Sequence, residues 1–158
     1  MDFYYGTKLI QAEPKQKAVN TPEGDVGFMD GYKVIYDNNY ESWSPKDVFE
    51  AAYKKSGEMN FGHAIEALKS GEAVARAGWN GKGMFIWLNL GSHSSSVESE
   101  YIAGVSRALF TLGQDDTITR LPNLNMRAAD GATITGWLAS QTDVLAEDWG
   151  IVTLTNEA

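Results

Sequence analysis

Few side chains in this sequence are suited to catalysis. His93 lies in Gly-Ser-His-Ser-Ser-Ser, which places a base beside hydroxyl groups, and Asp115 and Asp116 form an adjacent carboxylate pair. A serine-rich segment without periodicity is predicted to be a mobile loop, which cannot hold a nucleophile and a base in a fixed geometry. The two aspartates have no second acidic cluster to complete a metal site. The sequence therefore predicts no catalytic residue, no metal site and no cofactor.

Trp79 and Trp137 are the residues best suited to ligand binding. Each follows a glycine and precedes polar or small residues, in Gly-Trp-Asn-Gly-Lys-Gly and Gly-Trp-Leu-Ala-Ser-Gln-Thr-Asp. Glycine lets a ligand approach the backbone, and stacking of a nucleobase on an indole is worth about 1–3 kcal/mol. Packing in the core is the alternative for both residues. By contrast, Trp87 and Trp149 lie in apolar surroundings and are predicted to be core residues.

The segment around Trp79 contains more polar groups than a turn requires. An Asn80-Gly81 loop alone would connect two strands of a hairpin, yet Arg76 and Lys82 add two cations within a few residues. The segment lacks the G-x-x-x-x-G-K-[ST] spacing of a phosphate-binding loop. Its polar groups are therefore candidates for ligand contacts of another kind.

Composition excludes several classes of protein. The chain has 158 residues, is 43% apolar and carries a net charge of −8, so it can bury a core but does not suit a nucleic-acid polymer. It contains no cysteine, which excludes disulfides, thiol catalysis and cysteine-ligated zinc. No apolar run approaches the roughly 20 residues of a membrane span, and no signal peptide is recognisable. We therefore expect a cytoplasmic protein without a membrane partner.

Residues 1–55 are predicted to form one α+β module. Strands are expected at 7–13 and 31–37, separated by a long glycine-rich loop. Ser44 as N-cap and Pro45 at the first helical position predict a helix that follows. A polar linker, residues 54–58, then separates this module from the rest of the chain.

Residues 59–158 are predicted to form a second domain with antiparallel sheets and short helices, so that the fold class is α+β. Asn60 is expected to cap a helix that ends at Gly71, and Ser140 or Thr142 to cap a later one. The other predicted elements are a hairpin of 74–79 with 84–90, a weak helix at 96–113, two strands joined at 129–131 and a last strand at 151–155.

Two sequence blocks closely resemble the second family of phage Thoeris anti-defence proteins. The first is MNFGHAIEALKSGEAVARAGWNGKGMFIWL, residues 59–88, and the second is MRAADGATITGWLASQTDVLAEDW, residues 126–149. Residues 89–124 take up the spacing between blocks, which varies in the family. The resemblance covers residues 59–155 and leaves out residues 1–55, which we interpret as an accessory module for solubility or assembly.

The resemblance implies a function and an assembly. Members are small α+β proteins that form homotetramers and sequester, without cleavage, the glyco-cyclic ADP-ribose made by the TIR-domain enzyme of bacterial Thoeris defence. Some members also capture cyclic dinucleotides, the signals of CBASS defence. The implied partners are thus these small molecules and further copies of the chain, in the cytoplasm of an infected host. Sequestration requires nanomolar affinity, about −12 kcal/mol, which favours a site shared between subunits.

Combining the resemblance with the chemistry of the two blocks predicts the ligand-binding residues. Indoles would stack on base or ribose faces, cations would neutralise phosphate, and polar side chains would bind sugar hydroxyls and base edges. Backbone N–H groups at a helix start near residue 140 would add phosphate contacts. The predicted set is Arg76, Trp79, Asn80, Lys82, Phe85, Trp137, Ser140, Gln141, Thr142 and Asp143.

Two other functions stay open at this point. One is an enzyme that degrades such nucleotides, for which the sequence offers no credible base, nucleophile or metal cluster. The other is a phage structural or protein-interaction module whose tryptophan-rich surface packs against another protein.

Overall fold

The computed structural model describes residues 6–94 and 118–153. The chain divides into two compact units, residues 1–58 and 59–158. Both contain small antiparallel sheets and short helices, so the predicted α+β class is confirmed. The predicted helix at 96–113 and the Asp115-Asp116 pair lie outside the described residues.

The first unit contains a three-stranded antiparallel sheet, a separate hairpin and one helix. The elements are β1 (Gln11–Pro14), β2 (Lys17–Asn20), β3 (Val26–Met29), β4 (Gly31–Ile35), β5 (Glu41–Pro45) and α1 (Lys46–Ala52). The sheet order is β1-β4-β5, and β2 pairs with β3. Helix α1 packs on β4 and β5.

Three predictions for the first unit differ from the structure. The expected long loop contains the β2–β3 hairpin, in which Ala18 pairs with Phe28 and Gly24 takes a positive φ of 90° in the turn. Its strands are only four residues long, and charged residues and a turn at Pro22 flank them. The alternation of apolar and polar residues is therefore too short to recognise. Ser44 does not cap α1, because it pairs with Tyr32 across β5 and β4, and the N-cap is Pro45. The first strand is β1, which starts later than predicted.

The first unit buries few apolar side chains. Among its described residues, Val34 is the buried hydrophobic residue, at 1% exposure. A stack of aromatic rings supports α1. The ring centroid of Phe49 lies 4.1 Å from that of Tyr32 and 5.0 Å from that of Tyr53. Among residues 6–58, contacts between aromatic rings thus provide much of the packing between α1 and the sheet.

The second unit is built on a five-stranded antiparallel sheet and a separate pair of strands. Its elements are α2 (Phe61–Lys69), β6 (Val74–Arg76), β7 (Phe85–Asn89), β8 (Ser92–Ser94), β9 (Ile118–Arg120), β10 (Asn123–Arg127), β11 (Thr133–Thr135), α3 (Gln141–Val144) and β12 (Trp149–Ile151). The order of the large sheet is β11-β10-β7-β6-β12, and β8 pairs with β9.

Most local predictions for the second unit are confirmed. Asn60 caps α2 by accepting a hydrogen bond from the backbone of His63, and Gly71 follows the helix with a φ of 95°. Ser140 caps α3. The two predicted hairpins are β6–β7 and β10–β11. The final strand is β12, two residues earlier than expected.

One segment of the second unit differs from its prediction. The Gly-Ser-His-Ser-Ser-Ser stretch is expected to be a loop, whereas Ser92–Ser94 form β8 and pair with β9. The partner strand lies far away in the sequence, so no local hairpin signal marks β8.

The core of the second unit lies between α2 and the sheet. Helix α2 contributes Ala64 and Leu68 from its apolar face, and Val74 and Ile86 are paired across β6 and β7. Trp149 has no exposed surface, which confirms its predicted place in the core. In the described part of the chain, we find no helix with the length and apolar character needed to cross a membrane.

Candidate functional site

Arg76, the last residue of β6, connects two parts of the second unit that are distant in sequence. Its Nε donates to Asp148 Oδ1 at 2.8 Å, and its Nη1 donates to Asp143 Oδ1 at 2.8 Å. Only 13% of the Arg76 side chain is exposed, against 12% for Asp143 and 31% for Asp148. One largely enclosed guanidinium therefore holds α3 and the start of β12 against β6.

The Asp143 carboxylate accepts hydrogen bonds from three different segments. Besides Arg76, Trp79 donates its Nε1–H to Oδ1 at 3.0 Å. The hydroxyl and the backbone N–H of Ser140 donate to Oδ2 at 2.7 and 3.1 Å, and the Asp143 N–H donates back to the Ser140 hydroxyl, which completes a capping box. The same carboxylate thus orients Trp79 and fixes the first turn of α3.

These contacts determine the charge states of Asp143 and Asp148. Burial by itself raises the pKa of Asp143, but the hydrogen bonds from Arg76, Ser140 and Trp79 outweigh it and lower that pKa to about 2. The hydrogen bond from Arg76 also lowers the pKa of Asp148, with a further contribution from the Gly78 N–H. Both carboxylates are therefore ionised throughout the physiological pH range.

Gly78 makes the approach of Asp148 possible. Its N–H donates to Asp148 Oδ2 at 2.7 Å, and a Cβ at this position would lie 2.8 Å from the same oxygen. Asp148 is not among the site residues predicted from the sequence, so its part in this network is missed. A carboxylate next to a buried tryptophan was the only signal for it.

Three indoles form an edge-to-face cluster beside this network. The ring centroids of Trp79 and Trp137 are 6.0 Å apart at 74°, and Trp149 lies 5.4 Å from Trp79 and 6.5 Å from Trp137. Trp149 also donates its Nε1–H to the backbone oxygen of Asp143 at 3.0 Å. Trp79 and Trp137 are each half-buried and pack against the core. Their core packing is thus observed, whereas ligand binding by their solvent-exposed part stays a prediction.

The structure brings together Arg76, Trp79, Trp137, Ser140 and Asp143. The remaining predicted residues are distributed around or away from this group. Asn80 and Lys82 are exposed in the β6–β7 turn, and Gln141 and Thr142 are exposed on α3. Phe85 pairs with Trp87 at 5.7 Å and alternates with the buried Ile86, so it lies on the other face of the sheet and is not brought together with the indoles. In the described ranges, no three acidic or histidine side chains are grouped to hold a metal ion.

The Asp143 contacts predict a loss of stability in acid. Because the pKa falls from 3.8 to about 2 on folding, the stabilisation is complete above pH 4 and is lost as the pH falls through 2. The contribution of this group is about 2 kcal/mol. Urea unfolding between pH 5 and pH 2 measures it, and Asp143→Asn should show a flatter pH dependence over that range. An identical slope for both proteins would contradict the assignment.

Comparison with known proteins is consistent with the second unit being a domain of one family. The sequence profile of the Thoeris anti-defense 2-like domain matches residues 59–152. The protein named Thoeris anti-defense 2 from Bacillus phage SP01 is 39% identical over 95 residues, which are 60% of this chain and 96% of that protein. The match contains the Arg76 network and the indole cluster, and it leaves out the first unit.

Proposed function

The chain belongs to the Thoeris anti-defense 2-like family, and from this premise we propose that it protects a phage by sequestering an immune signal. The signal is glyco-cyclic ADP-ribose, and cyclic dinucleotides of CBASS defence are further ligands. The protein acts in the cytoplasm of the infected host, and binding alone removes the messenger.

The observation that supports this proposal most is the fixed arrangement of Trp79 and Trp137. The Asp143 carboxylate orients the first indole, and edge-to-face contacts hold both. An aromatic surface that is already ordered pays little conformational entropy when a base or ribose stacks on it. Such preorganisation suits a protein that must bind a scarce ligand tightly.

Polar groups around the indoles complete the proposed site. Asn80 and Lys82 extend from the β6–β7 turn, where the ammonium group is available to a phosphate. Gln141 and Thr142 offer hydrogen bonds from α3. Arg76 contributes positive potential although it is ion-paired, and its two ion pairs hold α3 and the start of β12 in place. Phe85, on the opposite face, enters this site only through another copy of the chain.

The same geometry favours binding over catalysis. A general base needs a pKa near the working pH and a lone pair directed at the substrate. The Asp143 carboxylate has a pKa of about 2 and is occupied by Arg76, Trp79 and Ser140. The Asp143 carboxylate therefore has a structural role, in a site that leaves its ligand intact.

Exposed apolar residues around α3 support assembly of several copies. Leu138 is 88% exposed and Leu145 is 77% exposed, on either side of the helix that borders the indoles. Apolar side chains of this size gain free energy when a second subunit covers them. We propose that copies of the chain, as a homotetramer, meet here and enclose the ligand between them.

Capture and release test the proposal directly. The purified chain is mixed with glyco-cyclic ADP-ribose, freed of unbound ligand by gel filtration and heated, and the supernatant is separated by chromatography with mass detection. We expect near-stoichiometric recovery of the unchanged messenger, because no bond is made or broken. Recovery of a hydrolysed product would instead support the enzyme, and failure to retain any messenger at micromolar concentration would refute sequestration.

A further inference from the structure

We propose that the first unit carries a second ligand site, a lysine-lined concavity beside Trp43 that binds a nucleoside monophosphate through its phosphate and its base. The concavity has a volume of about 340 Å³, within the range of small-molecule sites. It lies in residues that the family match does not include. The inference therefore does not depend on the function proposed for the second unit.

Trp43 is held in place independently of any ligand. Its Nε1–H donates to the backbone oxygen of Lys15 at 2.8 Å, which ties β5 to the turn after β1. The indole also packs against Gly31, where a Cβ would overlap the ring. Glycine at this position thus lets the ring lie close to the backbone of β4. The ring is ordered in the free protein and can act as a stacking platform.

The ring of Trp43 is also occupied by a cation. The Lys17 ammonium group lies 5.3 Å from the ring centroid, an arrangement stabilised by the negative face of the indole. A nucleotide can replace this contact with two better ones, because its base stacks on the indole while the displaced ammonium group binds its phosphate. The cation–π contact therefore brings together the two groups that the proposed site needs, the indole for the base and the ammonium group for the phosphate.

The charges around the concavity favour an anion. Three lysines, Lys15, Lys17 and Lys33, line it together with one carboxylate, Glu41. The Lys33 ammonium group is paired with Glu41 at 2.7 Å, and Glu13 faces Lys33 across β1 and β4. Lys15 and Lys17 have no carboxylate partner in the described structure. The site thus offers two available ammonium groups in a chain of net charge −8, enough for one phosphate but too few for a nucleic-acid backbone.

The test uses the full chain, labelled so that each tryptophan indole N–H gives its own NMR signal, and adenosine 5′-monophosphate as the probe. We expect the probe to shift the Trp43 signal in a saturable way. Adenosine and inorganic phosphate, which supply only the base or only the charge, should each bind at least about tenfold more weakly.

Variants separate a real site from general attraction of anions. The double substitution Lys15→Gln with Lys17→Gln should weaken binding of the probe about tenfold or more, because charge-assisted contacts are lost. Lys55→Gln removes an exposed cation elsewhere in the same unit and should leave affinity unchanged. Equal weakening by both, equal binding of phosphate alone, or an unchanged Trp43 signal at millimolar probe would each overturn the proposal. The Trp79 and Trp137 signals report separately on the second unit.

Discussion

Replacing Arg76 with methionine is expected to lower the free energy of unfolding of the second unit by about 3 kcal/mol. Methionine keeps much of the aliphatic length but leaves Asp143 and Asp148 without their common partner. Both carboxylates are partly enclosed, at 12% and 31% exposure, so water compensates only in part. A loss of this size is a large share of the 5–15 kcal/mol that is typical of a folded domain.

Lys82→Met provides the matched control for this prediction. It removes the same charge from an exposed turn residue of the same unit and should change stability by less than about 0.5 kcal/mol. Urea unfolding followed by tryptophan fluorescence compares the two variants, with separate transitions allowed for the two units. If both variants lose the same amount, or if Arg76→Met is as stable as the parent, the network does not contribute as described.

Local signals in the sequence were sufficient for the helix ends and the close hairpins. Asn60 and Ser140 are residue types that favour the N-cap position, and their side chains cap α2 and α3. The turn at Asp130-Gly131, which joins β10 to β11, is also a local feature. Gly131 takes a positive φ of 88° there without a steric penalty. These features depend on a few adjacent residues, so one sequence is enough to predict them.

Interactions between distant residues could not be predicted in the same way. Arg76 and Asp148 are 72 positions apart, and they meet because Arg76 pairs with Trp149 in the register of β6 and β12. Nothing near either residue specifies that register. The sequence therefore predicts a ligand contact for Arg76 and does not single out Asp148. Likewise, it recognised Trp79 and Trp137 as unusual, but not that Asp143 holds one of them.

Side-chain burial in the first unit could not be predicted from its apolar content. Its composition contains enough tyrosine, phenylalanine and tryptophan for a core, yet Phe28 is 70% exposed and Tyr40 is 61% exposed. The β2–β3 hairpin is a two-stranded pair, which is of marginal stability without further packing. Apolar content alone thus does not indicate how few apolar side chains of this unit are buried among residues 6–58. Its predicted part in solubility or assembly stays a prediction.

Removing the indole of Trp137, by Trp137→Ala, is expected to weaken capture of glyco-cyclic ADP-ribose by about 100-fold or more. The change removes one stacking surface directly, worth about 1–3 kcal/mol. It also removes one of the two edge-to-face contacts of Trp79, so that the second surface is held less firmly. Isothermal titration calorimetry on the full chain measures the affinity. Because Trp137 packs against the core, the variant will also be less stable, and the titration must be made well below its melting temperature.

A second variant separates loss of the binding surface from loss of stability. Phe61→Ala removes a ring that lies 5.4 Å from Trp149 in the same core, and Phe61 is not among the predicted ligand-binding residues. It should reduce the melting temperature to a similar degree, because both changes leave a cavity beside Trp149, yet it should retain affinity within about threefold. If Trp137→Ala binds the messenger as tightly as the parent while folded, the indole is a core residue and does not form the site. If Phe61→Ala loses affinity equally, core stability rather than a stacking surface controls capture.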